Sequence, residues 1–124
     1  MKIFLFIISL CIGAATMSHA SQFVFKSADG GVINLEDFKG KPLLVVNTAS
    51  RCGFTGQLAT LQKLSDTYNS DGLTVLAVPS NDFNQELSSV EAVKEFCTVN
   101  YNLTLPMTDI TSVRGKNAHP FFRW

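Results

Sequence analysis

The chain is poor in cysteine and tryptophan and carries no net charge. Its 124 residues hold three cysteines and one tryptophan, and ten basic residues balance ten acidic ones. A formal charge of zero removes the electrostatic case for a nucleic-acid or anionic-membrane partner. No Cys-x-x-Cys occurs. In Cys52-Gly53-Phe54-Thr55 a threonine stands where the second cysteine would be, which argues against a thioredoxin-like electron carrier working by dithiol exchange. Cys52, Cys97, His19 and His119 show no metal-ligand spacing, so no metal is expected, and no cofactor. No internal repeat or low-complexity run is visible, and the length allows one domain at most.

The long apolar run is confined to the start. Met1-Lys2 precedes IFLFIISLCIGAA, a core too short to span a bilayer comfortably, and Ser18-His19-Ala20 places small residues where a cleavage site needs them. Residues 1–20 are expected to be a secretory signal peptide, with a membrane anchor as the alternative. Residues 21–124 would then be the mature domain, exported to an oxidising compartment, the bacterial periplasm, without stable membrane association. Cys11 leaves with the signal. Cys52 and Cys97 remain, and such a pair is read as either a structural or a working disulfide.

The rest of the chain punctuates itself. Phe23-Val24-Phe25 and Val32-Ile33-Asn34-Leu35 flank the turn signal Asp29-Gly30-Gly31 and predict a hairpin. Glu36 to Gly40 reads as one helical turn. Leu43-Leu44-Val45-Val46 and Thr74 to Val78 are short branched runs of the kind buried on both faces. Between them Leu58, Leu61, Leu64 and Tyr68 recur at helical spacing, with Asp71-Gly72 as a stop. Two such strands joined by a helix predict a right-handed βαβ unit with parallel strands. Ser88-Ser89-Val90-Glu91 reads as a capping box, opening a helix whose apolar stripe is Val90, Val93, Phe96 and Cys97, with Tyr101 beyond. Leu103 to Ile110 reads as extended around Pro106, and Pro120 starts a final helix. The sum is an α/β, thioredoxin-like fold.

Cys52 falls where the first of these strands hands over to the helix. A helix N-terminus offers free N–H groups and the positive end of the macrodipole, and Arg51 adds a cation alongside. That setting turns a cysteine into a nucleophile. The alternative is a small buried cysteine with no chemistry.

The string NTASRCGFT, Asn47 to Thr55, resembles the active-site signature of glutathione peroxidases. LTVLAVPSNDFNQE resembles their second signature, with Ser80 in place of its cysteine, Asp82 in place of its first glutamine and a loop one residue shorter around Asn84. KEFCTVNY, Lys94 to Tyr101, resembles the segment that carries the resolving cysteine of two-cysteine members. The likeness implies that Cys52 attacks a hydroperoxide, that the Gln85 amide stabilises the developing charge, and that Cys97 resolves the oxidised Cys52. It further implies a thioredoxin-like protein or glutathione as reductant, the former favoured by a resolving cysteine. Cys97 also sits on an apolar helical stripe, where a cysteine is often plain core. The family continues past the point matching Trp124 with a Trp-Asn-Phe segment that completes its active-site group. The resemblance therefore implies a fold incomplete at its C-terminus. A non-catalytic redox sensor or thiol relay on the same fold is the alternative function.

Overall fold

The computed structural model describes residues 19–124, so the leader reading of residues 1–18 lies outside the described residues. The chain opens with a hairpin of β1 (Val24–Lys26) and β2 (Val32–Asn34), antiparallel, with Phe25 opposite Ile33. Its turn needs two left-handed residues in succession, and Gly30 and Gly31 supply them at φ 87° and 74°. Alternation aims Phe25 inward at 1% exposure while Val24 and Lys26 stay exposed. The expected return strand stops at Asn34. Leu35–Phe38 instead forms a 3-10 turn, because the Asn34 side chain caps it by accepting the Glu36 N–H at 3.0 Å.

β3 (Leu43–Thr48) and β4 (Thr74–Pro79) pair in parallel, from Leu43 opposite Thr74 to Thr48 opposite Pro79. Between them runs α1 (Gln57–Tyr68), closed by a 3-10 turn over Asn69–Asp71 and by Gly72 at φ 96°. The βαβ unit is thus as expected. One expectation fails within it. β4 is buried on both faces, but β3 is not, and Leu44 is 37% exposed. Among the described residues β3 is paired along one edge only.

β4 divides the core by its alternation. Val75 and Ala77 face a cluster with Leu58 of α1 and Val93 and Cys97 of α2 (Val90–Tyr101). Leu76 and Val78 face the other way, into a cluster with Phe25 and Leu35. α2 starts differently from the expected capping box. Ser89 is the cap and its Oγ accepts the Ala92 N–H at 3.3 Å, which leaves Glu91 one position too early to reciprocate. Asn102, in the left-handed conformation, ends the helix.

The segment after α2 laces the two sheets together. Met107 bridges to Ala77 of β4, and Thr108 bridges to Ser27 beside the hairpin. The contact stays a bridge rather than a strand because Pro106 has no N–H to extend the ladder, though its carbonyl accepts from Ala77 at 3.0 Å. α3 (Pro120–Arg123) begins with Pro at its first turn, as expected, and His119 caps it. The His119 ring stacks on Phe25 at 4.0 Å between centroids and its Nε2 lies 2.8 Å from the Val24 carbonyl, which ties the chain's end to its beginning.

Candidate active site

The site begins at the C-terminal end of β3. Residues 50–56 are turn or bend, so the helix expected after Cys52 begins only at Gln57. The reason is visible in the bonding. Thr55 donates to the Cys52 carbonyl and Gln57 to the Phe54 carbonyl, three-residue closures that wind tighter than an α-helix. Cys52 is half-buried and free, and its Sγ accepts the Phe54 N–H at 3.4 Å. The feature expected of a helix N-terminus, a backbone donor on the sulfur, is therefore present but comes from the preceding turn.

Cys52 opens onto a cleft of about 200 Å³. Its apolar lining comes from Val46, Ala49, Phe54, Leu58 and Leu61, with Asn47, Thr48 and Gln57 as the polar part. Phe54 stands 72% exposed at this cleft.

A second loop, 80–87, is fastened to the Cys52 turn from the far end of β4. Ser80 donates to the Thr48 carbonyl at 3.0 Å, and Arg51 donates to the Gln85 carbonyl at 2.8 Å. Glu86, 5% exposed, accepts the Ser50 N–H at 3.0 Å and the Leu87 N–H at 2.8 Å. Gln85 is thereby held beside the residue preceding Cys52. Its side chain is exposed, and among the described residues it makes no hydrogen bond to Sγ. Asp82 braces the loop from behind. It accepts from the N–H groups of Val113 and Arg114 and from the Ser112 hydroxyl, at 2.6–3.0 Å. These bonds, the Val113 N–H foremost, hold its carboxyl below the usual carboxylate range. Arg114 then lies over the Phe83 ring at 4.8 Å.

Cys97 is 4% exposed in the α1–α2 core and is also a free thiol. Burial first, and the charge of Glu86 second, push its pKa up to about 11. The geometry thus places Cys52 and the Gln85 loop together, and leaves Cys97 within the core as a buried neutral thiol. Two residues that matter here escape sequence reasoning. Asp82 stands out in sequence only as a departure from glutamine, although Asp after Ser-Asn is a common turn-former. Glu86 gives no signal, since nothing in sequence says a carboxylate will be buried.

A strand-to-turn cysteine on this layered α/β frame defines a thiol-bearing protein of the thioredoxin fold. Among the described residues no group of three acidic, histidine or cysteine side chains is arranged to hold a metal. The glutathione peroxidase family model matches residues 20–124, and the chain belongs to that family. It is 49% identical over 98 residues to the glutathione peroxidase homolog BsaA of Bacillus subtilis (strain 168), covering 78% of this chain and 61% of that one. Against the hydroperoxy fatty acid reductase gpx1 of Synechocystis sp. it is 44% identical over 103 residues, covering 82% and 61%. The crystal structure of T. cruzi GPX1 superposes with a TM-score of 0.65 at 30% identity, over 86% of this chain and 63% of that one. The chain spans about six-tenths of the length of the curated relatives it matches.

Proposed function

We propose that this chain is a thiol peroxidase that reduces hydrogen peroxide and organic hydroperoxides, protecting against oxidative stress. The observation that carries this is Cys52 itself: a half-buried thiol, with a backbone N–H on its sulfur, at the mouth of a mostly apolar cleft. The Cys52 thiolate attacks the distal oxygen of the O–O bond. The leaving alkoxide takes a proton and departs as alcohol or water, and Cys52 becomes a sulfenic acid. Gln85, whose carbonyl is anchored to Arg51, is the residue this reading assigns to donate from its amide to the reacting oxygen. The Cys97 thiol then condenses with the sulfenic acid, giving a disulfide and water. A dithiol protein of the thioredoxin type reduces that disulfide by exchange and is itself oxidised.

Cys97 starts in the core, so resolution requires α2 to open locally. The exposed Phe54 beside Cys52 supports a macromolecular reductant over glutathione, and the apolar cleft supports organic hydroperoxides as substrates. The leader-like start supports export to the periplasm.

The test is a single substitution. Cys52→Ser is expected to abolish stoichiometric peroxide consumption by the reduced protein. A mutant that still consumes peroxide at the wild-type rate overturns the reading.

A further inference from the structure

Asn84, the residue before Gln85, takes an uncommon backbone conformation. Its φ of 56° lies in the left-handed region that glycine enters freely and that asparagine, among the other residues, tolerates best. Such a conformation persists only where neighbours hold it, and it gathers at functional sites. Asn81 does the holding. Its carbonyl accepts the Asn84 N–H at 2.9 Å, and its side-chain Oδ1 accepts the Glu86 N–H at 3.2 Å. One residue thus closes the loop twice, by main chain and by side chain. Asn81 is exposed, so that acceptor oxygen, rather than packing, is what its side chain contributes.

The second closure bears on Gln85. The Gln85 carbonyl and the Glu86 N–H belong to one planar peptide unit, and in a trans peptide they point in opposite directions. The carbonyl is taken by the Arg51 N–H at 2.8 Å, and the N–H by Asn81. The plane is therefore fastened along both edges, to the Cys52 turn on one side and to Asn81 on the other. Held at one edge, it tips about the remaining bond. Held at both, it fixes ψ of Gln85 and with it the direction of the Gln85 Cα–Cβ bond. The Gln85 side chain is exposed and makes no hydrogen bond among the described residues, so the backbone alone aims it.

We propose that Asn81 is a positioning residue for the peroxide step: its Oδ1 fixes the Gln85–Glu86 peptide and so aims the Gln85 amide at the reacting oxygen. The proposal rests on the role given to Gln85 above. Asn81→Ala removes the acceptor and keeps the main-chain closure. The loop retains its ties from Glu86 to Ser50 and from Ser80 to Thr48. Asn81→Asp keeps an accepting oxygen in place of the amide oxygen.

The test is a mutant cycle on the full chain in a Cys97→Ser background, with Cys52 oxidation by hydrogen peroxide followed by stopped flow. Asn81→Ala is expected to slow the reaction about tenfold, the result of a misaimed donor. Asn81→Asp is expected within about threefold of the parent, because the bond is restored. Added to Gln85→Ala, Asn81→Ala is expected to change the rate by less than about twofold, since no amide is left to aim. Alkylation of Cys52 by iodoacetamide, which has no O–O bond to break, is expected to be unchanged throughout. An Asn81→Ala protein oxidised at the parental rate overturns the proposal. So does a loss that persists in full beside Gln85→Ala, or an equal slowing of alkylation, since either means that Asn81 only props the Cys52 turn. Should Asn81→Ala not fold, Asn81→Gln, whose oxygen sits one methylene too far, replaces it with the same expectations. In these outcomes Gln85→Ala itself is slow and the role of Gln85 stands. If Gln85→Ala keeps the parental rate, or the parent ignores peroxide, the reading of the site fails and this proposal falls with it.

Discussion

Arg51 and Gln85, thirty-four positions apart, are joined by one backbone hydrogen bond of 2.8 Å from the Arg51 N–H to the Gln85 carbonyl. The bond uses no side chain. It places the glutamine loop beside the Cys52 turn while leaving the amide of Gln85 free to swing. The prediction is a separation of rate from stability. Gln85→Ala is expected to slow Cys52 oxidation by about a hundredfold to a thousandfold, the cost typical of one lost charge-stabilising donor. Its melting temperature is expected to stay with the parent, because the carbonyl remains. Stopped-flow oxidation and a thermal melt together check both halves.

Cys97 ties stability to alkaline pH. Its pKa is raised from an ordinary 9.0 to about 11, so the folded state holds the proton more tightly than the unfolded chain. The sign follows from that. The contribution is complete below pH 9 and is lost as the pH climbs towards 11, in total on the order of 2 kcal/mol. Denaturant unfolding at pH 8 and pH 10.5 measures it. Cys97→Ala is expected to remove most of this slope while costing about 1 kcal/mol at pH 8 for the atom lost from the core.

Asp82 does the opposite at the acid end. Its carboxyl is held below its ordinary 3.8 by the N–H groups it collects, the Val113 N–H first. Its contribution is present above that ordinary value and is lost as the pH falls through the lowered one. Asp82→Ala strips the 112–114 segment of its acceptor and is expected to destabilise the protein at pH 7 by about 1–3 kcal/mol. As the pH falls through that lowered value the gap between the mutant and the parent should narrow. Melts across this range read the effect, and parallel acid curves for the two proteins would contradict it.

His119 holds the last helix to the first strand. With the Phe121 N–H directed at Nδ1, Nε2 carries the proton and donates to the Val24 carbonyl. The ring also lies flat on the buried Phe25. His119→Ala removes the stack, the cap and the tie, at an expected cost of about 2–3 kcal/mol. The sole tryptophan reports on it, since Trp124 sits 5.7 Å from Phe23 and 6.1 Å from Phe121. Its emission should shift to the red as this aromatic group loosens. An unshifted spectrum with an unchanged melt would show that the tie carries no weight.

Most elements are legible in the residue order alone. The hairpin is announced by consecutive glycines, β4 by an unbroken branched run, and α3 by Pro120, each a local signal with a local cause. The misreadings share one feature, dependence on distant neighbours. The cap of α2 falls on Ser89 because the loop before it is pinned by Glu86 and Asn81. The exposure of Leu44 depends on what pairs with β3, which a run of four apolar residues does not state.

The linear order of residues by itself determined the layered α/β frame and the choice of Cys52 as the candidate nucleophile. Both follow from periodicity, glycine placement and a short string around one sulfur. Only the tertiary structure decided which loop stands beside that sulfur and that Cys97 is shut into the α1–α2 core. Those facts depend on burial and on contacts across more than thirty residues, and side-chain solvation is a property of packing that no local pattern encodes.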